Sequence, residues 1–294
     1  MVTVKKKVIG GRTYYYLEHS LRVKGKVEKK ETYLGKALPK NVEEIKKDFL
    51  HSIYEEKWFK TFDSIRRNFA KERRLMPKTA REEELRKFSV RFTYDTQRIE
   101  GSALTLRETA NLLEMGVTPL GKPVQDIKEA EAQEKILYEI LRFRKDLSVQ
   151  TVLYWHRRLF ESTKKDIAGR IRQHQIAISG SKFVPPSPAE VYPLLRELFK
   201  WYERNRKKLH PVELAALVHL KFVTIHPFAD GNGRISRLIM NFLLNRQRYP
   251  MLNIPCNNRN SYYNALQRTQ VQRQDSIFLQ WFFKRYVKEH RRYV

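Results

Sequence analysis

The chain has 294 residues, 41% hydrophobic and 12% aromatic, the balance of a globular protein with a sizeable core rather than of a disordered chain. Cys256 is the single cysteine, which excludes disulfide frameworks and cysteine-rich zinc sites. With no apolar signal-type segment at the start and no run of about 18 apolar residues, a cytoplasmic location without membrane insertion is expected. A formal charge of +27 points to nucleic acid, acidic proteins or polyphosphates as partners without choosing among them, and a Lys/Arg-rich proteome would give the same balance.

Residues 1–38 are rich in Tyr, Val and Thr, with Gly10-Gly11 and Gly25 as turn points, and predict two or three short strands. The first 40 residues carry 11 Lys/Arg against Glu18, Glu28 and Glu31. Such a basic β-rich appendage suits a nucleic-acid surface, and it equally suits a small sheet packed on a main body. From Pro39 the pattern turns helical. Ile45, Phe49, Ile53, Trp58 and Phe62 recur at spacings of four or five among charges, as in one long amphipathic helix or two. A second helical stretch stops at Gly101, and residues 105–145 predict further helices broken between Gly116 and Pro123. Ser148 is the expected N-cap of a helix over 148–165. A strand pair is expected next, with Ile176 and Ile178 alternating with smaller or polar residues and Gly180-Ser181 turning. After Pro188 helices resume to the end.

The stretch from Pro211 to Gln247 reads as helix, tight loop, helix. Pro211 suits a first helical turn, and Pro227, Gly231 and Gly233 interrupt. A Gly231-Asn232-Gly233 loop that opens a helix presents several backbone N–H groups, with no Cβ in the way, at the positive end of the helix dipole; that geometry binds phosphate. Arg234 and Arg237 share a face of the following helix and can add charge-assisted bonds to the same polyphosphate. Asp230 supplies a hard oxygen suited to Mg²⁺, and His226 is the natural general base. Each residue also has a plain structural use: His226 as a helix C-cap, Asp230 as an N-cap, the arginines as surface charges. The pattern GxxxxGK[ST] does not occur, which excludes a P-loop nucleotide site.

His226-Pro227-Phe228-Ala229-Asp230-Gly231-Asn232-Gly233-Arg234-Ile235-Ser236-Arg237 resembles the Fic motif HPFx(D/E)GNGRxxR at every specified position. The likeness extends over roughly residues 90–285, including Phe183-Val184-Pro185-Pro186 and Asn260 to Leu266. It leaves the N-terminal third outside and implies a mainly α fold, a helical core with a β-hairpin flap; with the β-rich region read from composition, the expected organisation is a 1–38 appendage, a 39–104 helical region and a 105–290 catalytic core. The activity implied is protein adenylyltransfer: AMP passes from ATP, with Mg²⁺ or Mn²⁺, to a Ser, Thr or Tyr hydroxyl of a target protein. His226 would take the hydroxyl proton, Asp230 hold the metal, Gly231, Asn232 and Gly233 form the anion hole, Arg234 bind the phosphate chain and Arg237 the γ-phosphate. Tyr262, Tyr263 and Gln270 would border the adenosine. The flap, with Ile176, Ile178, Gly180 and Phe183, would hold the target by strand addition. Members of the family are often dimers. Gly233 stands where the family's kinase-like relatives carry Lys, which favours transfer of a nucleotide over phosphate; another donor, removal of AMP, or a nucleic-acid-binding regulator that senses nucleotide are the alternatives.

Thr96-Gln97-Arg98-Ile99-Glu100-Gly101 resembles the family's inhibitory signature (S/T)xxxE(G/N). Thr96 and Glu100 then share one helical face. The resemblance implies that Glu100 pairs with Arg237 where the γ-phosphate should sit.

Overall fold

The computed structural model describes residues 2–23 and 26–294. The chain divides into two compact units, residues 1–63 and 64–294. The first opens with β1 (Val2–Ile9), β2 (Arg12–Val23) and β3 (Lys26–Gly35), an antiparallel sheet in the order β1-β2-β3. Gly10 and Gly11, at φ 55° and 72°, make the two-residue turn between β1 and β2, a conformation that suits the strand twist and is open to glycine at little cost. The turn expected at Gly25 lies outside the described residues. Strand periodicity separates two faces: Leu17 and His19 are buried on one, while Lys5, Tyr16 and Tyr33 stand opposite one another on the other. α1 (Val42–Tyr54) passes through one π-helical turn, Glu55–Phe59, into α2 (Lys60–Leu75), and Lys30 of β3 pairs with Glu56.

The second unit is helical: α3 (Lys78–Ile99), α4 (Leu106–Met115), α5 (Val124–Arg142), α6 (Val149–Phe160), α7 (Pro188–Asn205), α8 (Pro211–Ile225), α9 (Asn232–Arg246), α10 (Arg259–Gln272) and α11 (Asp275–Glu289). α8 and α9 form its centre and pack on each other; α7 and α11 cover α8, while α3, α5 and α6 cover α9. α8 is apolar almost all round, as befits a helix buried on every side, while α9 is equally buried but carries Asn232, Arg234, Ser236, Arg237 and Asn241 among its apolar residues. Helix ends follow local chemistry. Ser148 caps α6 through the Thr151 N–H at 3.2 Å, and Thr105 and Glu108 make a capping box on α4. No helix among the described residues is long and apolar enough to cross a membrane.

The strand pair expected around Ile176 and Ile178 is corrected. Among the described residues no strand is assigned between 170 and 187, although the turn forms, with the Ser181 N–H donating to Ile178 O at 3.0 Å. The donors a ladder would use are spent elsewhere: Lys182 N on Gln267 Oε1 at 2.9 Å and Phe183 N on Ser181 Oγ at 3.1 Å. Pro185 and Pro186 have no N–H to give.

Candidate active site

α8 ends because Pro227 cannot continue it. His226 takes a left-handed conformation at φ 53°, with its N–H still bonded to Phe222 O at 3.1 Å. Five residues later Gly231, at φ 79°, starts α9; an added Cβ there would lie 2.5 Å from the Phe160 ring, so both backbone and packing demand glycine. Asn232 clasps the intervening turn from inside, its Oδ1 accepting from Phe228 N at 2.9 Å and its Nδ2 donating to Phe228 O at 2.8 Å. The result is a cavity of about 380 Å³ lined by Glu100, Ile178, Gly180, His226, Asp230, Gly231, Asn232, Gly233, Arg237, Tyr262, Tyr263 and Gln270.

His226 Nδ1 lies 3.0 Å from Val223 O, a carbonyl that can only accept, so Nδ1 carries the proton and Nε2 keeps a lone pair. Burial lowers its pKa below the ordinary histidine value, so the ring is neutral at pH 7. Burial would by itself push the Asp230 carboxyl up, but Arg234 and Lys164 outweigh it and hold the group at about 2. Arg237 is 1% exposed; its Nε donates to Thr96 Oγ1 at 2.6 Å and its Nη2 to Thr96 O at 3.1 Å and Glu100 Oε1 at 2.6 Å. Its Nη1 is buried with no hydrogen-bond partner among the described residues. Gly101, at φ 102°, lets the chain leave α3 directly after Glu100.

Some expected residues are placed differently. Arg234 does not line the cavity: its guanidinium pairs with Glu129, with Asp230 Oδ1 at 3.1 Å and with Gln97 Oε1 at 3.3 Å in an internal network. Tyr262 reaches the wall but is 1% exposed, with its hydroxyl 2.8 Å from His219 Nε2; Tyr263 is the more open ring. Gln270 bonds Thr224 Oγ1 at 3.2 Å and stands between this cavity and a second one of about 420 Å³ beside Trp201 and Leu194. Ile178 and Gly180 border the first cavity, whereas Ile176 and Phe183 do not.

Residues 146–244 match the Fic/DOC family. Those residues are similar to a Fic domain. It is 37% identical over 177 residues to protein adenylyltransferase Fic of Drosophila yakuba, a match covering 59% of this chain and 35% of that protein. With protein adenylyltransferase fic-1 of Caenorhabditis briggsae it shares 31% over 223 residues, 74% of this chain and 43% of that one. The chain thus spans less than half the length of these relatives. Fic-1 of C. elegans superposes with a TM-score of 0.71 at 26% identity, covering 86% of this chain and 75% of that one. A Fic-domain-containing signalling protein of Bacteroides thetaiotaomicron does so with 0.70 at 25%, covering 78% and 95%.

Residues that hold the Fic motif in place were not visible in the motif itself. His156 stacks on Phe228 with centroids 3.7 Å apart; its Nδ1 accepts from Gly169 N at 2.9 Å, so its Nε2–H donates to Asp230 O at 3.0 Å. Arg172, 3% exposed, donates to His226 O at 2.8 Å, His174 O at 3.1 Å and Pro186 O at 2.6 Å, tying the flap segment to the His226 turn. Burial holds His156 at about 4. The unfolded chain therefore binds a proton below pH 6.5 that the folded one refuses. The stability His156 contributes is full above that pH, falls as the pH drops towards 4, and is lost below, at a cost of about 3 kcal/mol. Thermal midpoints measured between pH 4 and 7 are expected to fall with acid, with a shallower slope in His156→Gln; equal slopes would contradict this.

Proposed function

We propose that this chain is a protein adenylyltransferase that moves AMP from ATP to a hydroxyl of a target protein and is held at rest by Glu100. The observation that carries this is the cavity wall itself: a neutral His226 with Nε2 open, the α9 N-terminus behind Gly231 to Gly233, and a buried Arg237 whose Nη1 has no partner. The names of the two matched relatives agree with it.

In this mechanism the N–H groups at the start of α9 and Arg237 receive the phosphate chain. His226 Nε2 accepts the proton of the incoming hydroxyl as that oxygen bonds to the α-phosphorus, and the bond from phosphorus to the pyrophosphate oxygen breaks. Asp230 is ionised and borders the cavity, and a single protein carboxylate suits an ion such as Mg²⁺ or Mn²⁺ that takes most of its oxygens from phosphates and water. The ion, when bound, neutralises phosphate charge. Tyr263 and Gln270 would border the adenosine, and the segment from Ile178 to Gly180, which lines the cavity, would receive the target backbone and become extended only on binding it. Incubation of Glu100→Gly with ATP, Mg²⁺ and lysate, followed by peptide mass analysis, tests the assignment: AMP adducts support it, and a bare phosphate or no adduct overturns it.

A second function has its own observation. The outer face of the N-terminal sheet groups Tyr14, Tyr16 and Tyr33, with the Tyr14 and Tyr16 ring centroids 6.2 and 5.3 Å from that of Tyr33 and Lys7 4.6 Å above the Tyr16 ring; Tyr33 is 52% exposed. Aromatic rings beside lysines make a stacking platform for single-stranded nucleic acid. Fluorescence anisotropy with a labelled oligonucleotide is expected to show binding that weakens steeply with salt and is lost in the triple Tyr→Ala variant; unchanged binding or none would dismiss it.

A further inference from the structure

Both oxygens of Asp230 are already engaged. Oδ1 accepts from Gly231 N at 2.5 Å and from Arg234 Nη2 at 3.1 Å, and Oδ2 has Lys164 Nζ at 2.5 Å. Lys164 is presented by the ordered turn that ends α6, where its own N–H bonds Phe160 O at 2.8 Å, and its ammonium lies 5.1 Å from the centre of the Phe160 ring. A second carboxylate is within reach: Glu129 Oε1 is 3.5 Å from the same nitrogen. Glu129 is itself fixed, by Arg234, by Gln125 Nε2 at 3.0 Å and by Thr163 Oγ1 at 3.2 Å.

We propose that Lys164 is a built-in competitor for the divalent cation at Asp230. An ammonium and a metal ion cannot share Oδ2, because a metal bound about 2.1 Å from that oxygen would face a full positive charge at close range. Metal uptake therefore requires Lys164 to swing onto Glu129, a short move between two carboxylates that leaves the ammonium paired throughout. Lys164 thereby sets the concentration at which the ion is taken up. It touches neither nucleotide nor hydroxyl and is a positioning residue for the carboxylate. The inference rests on the assignment of Asp230 as the metal residue in the proposed function.

The test uses the full chain and Mn²⁺ alone, with free Mn²⁺ read by its electron paramagnetic resonance signal. Lys164→Met keeps the aliphatic stem against Phe160 and removes the charge. It is expected to bind Mn²⁺ about 2- to 5-fold more tightly than wild type, the scale of one partly exposed ion pair removed from competition. Lys164→Arg should stay within about twofold of wild type, and adding Asp230→Asn to Lys164→Met should abolish the gain. Equal or weaker Mn²⁺ binding by Lys164→Met, or a gain that survives Asp230→Asn, overturns the proposal. Binding of a fluorescent ATP analogue by the same proteins carrying Glu100→Gly, which frees Arg237, reports separately on the nucleotide site: a Mn²⁺ gain without ATP binding in that background sinks the adenylyltransferase assignment and leaves the competition between Lys164 and the metal standing.

Discussion

Replacing Glu100 by glycine is expected to raise AMP transfer and productive ATP binding by about 10- to 100-fold. The estimate follows from the bond it removes, since a charge-assisted hydrogen bond is worth roughly 1.5–3 kcal/mol. Glu100 Oε1 sits 2.6 Å from Arg237 Nη2, and a Cβ placed on Gly233 would run into the same carboxylate. The carboxylate thus lies directly over the anion-binding turn, where a terminal phosphate would meet both α9 and Arg237. Phosphate and carboxylate carry the same sign and use the same donor, so each excludes the other. Transfer from α-labelled ATP and the dissociation constant of a fluorescent ATP analogue measure the effect. Indistinguishable values for wild type and Glu100→Gly would remove Glu100 from any inhibitory role.

The second large effect is a loss. His226→Ala in the Glu100→Gly background is expected to lower transfer by about 10²- to 10⁴-fold, the range supplied by one positioned general base, with little change in ATP affinity. The split matters, because His226 faces the incoming hydroxyl in this mechanism and Arg237 faces the phosphates. Burial lowers the His226 pKa, so the neutral base predominates at pH 7; the rate should be level near neutrality and fall as acid protonates the ring, below the ordinary histidine value of about 6.5. Loss of ATP binding in His226→Ala, or a rate that rises as pH falls below 6, would contradict the role.

What could be read from the sequence was what is local in it. The run from His226 to Arg237 carries its own geometry: a proline that stops α8, glycines that open α9, and side chains set by helical spacing. The N-terminal sheet was legible in the Gly10-Gly11 turn and in the β-branched and tyrosine content of its strands. Glu100 was visible through its resemblance to the inhibitory signature, but that it meets Arg237, 137 residues away, needed α3 and α9 side by side. His156, Arg172, Glu129 and Lys164 left no such trace. Each acts across 54 or more residues on the turn or network around Asp230, and none belongs to a spacing pattern. Arg234 shows the converse: a residue well placed in the motif whose charge is drawn inward by Glu129, a partner that sequence proximity could not reveal. The flap misled for a related reason. Alternation at Ile176 and Ile178 predicts strands, but the Gln267 side chain from α10 takes a donor that a ladder requires.

The buried guanidinium of Arg237 has a wider consequence for how such a chain can change. Without Glu100 and without nucleotide, that cation keeps Thr96 and the neutral Tyr262 beside it but loses its paired carboxylate, and a charge stripped of its counter-charge in a core is costly. A variant that lacks the glutamate would therefore depend on bound nucleotide for the counter-charge of Arg237, and ATP should raise its thermal midpoint more than that of the wild type. In the proposed mechanism one ion pair both blocks the phosphate position and neutralises a buried cation, so removing Glu100 would change activity and stability together.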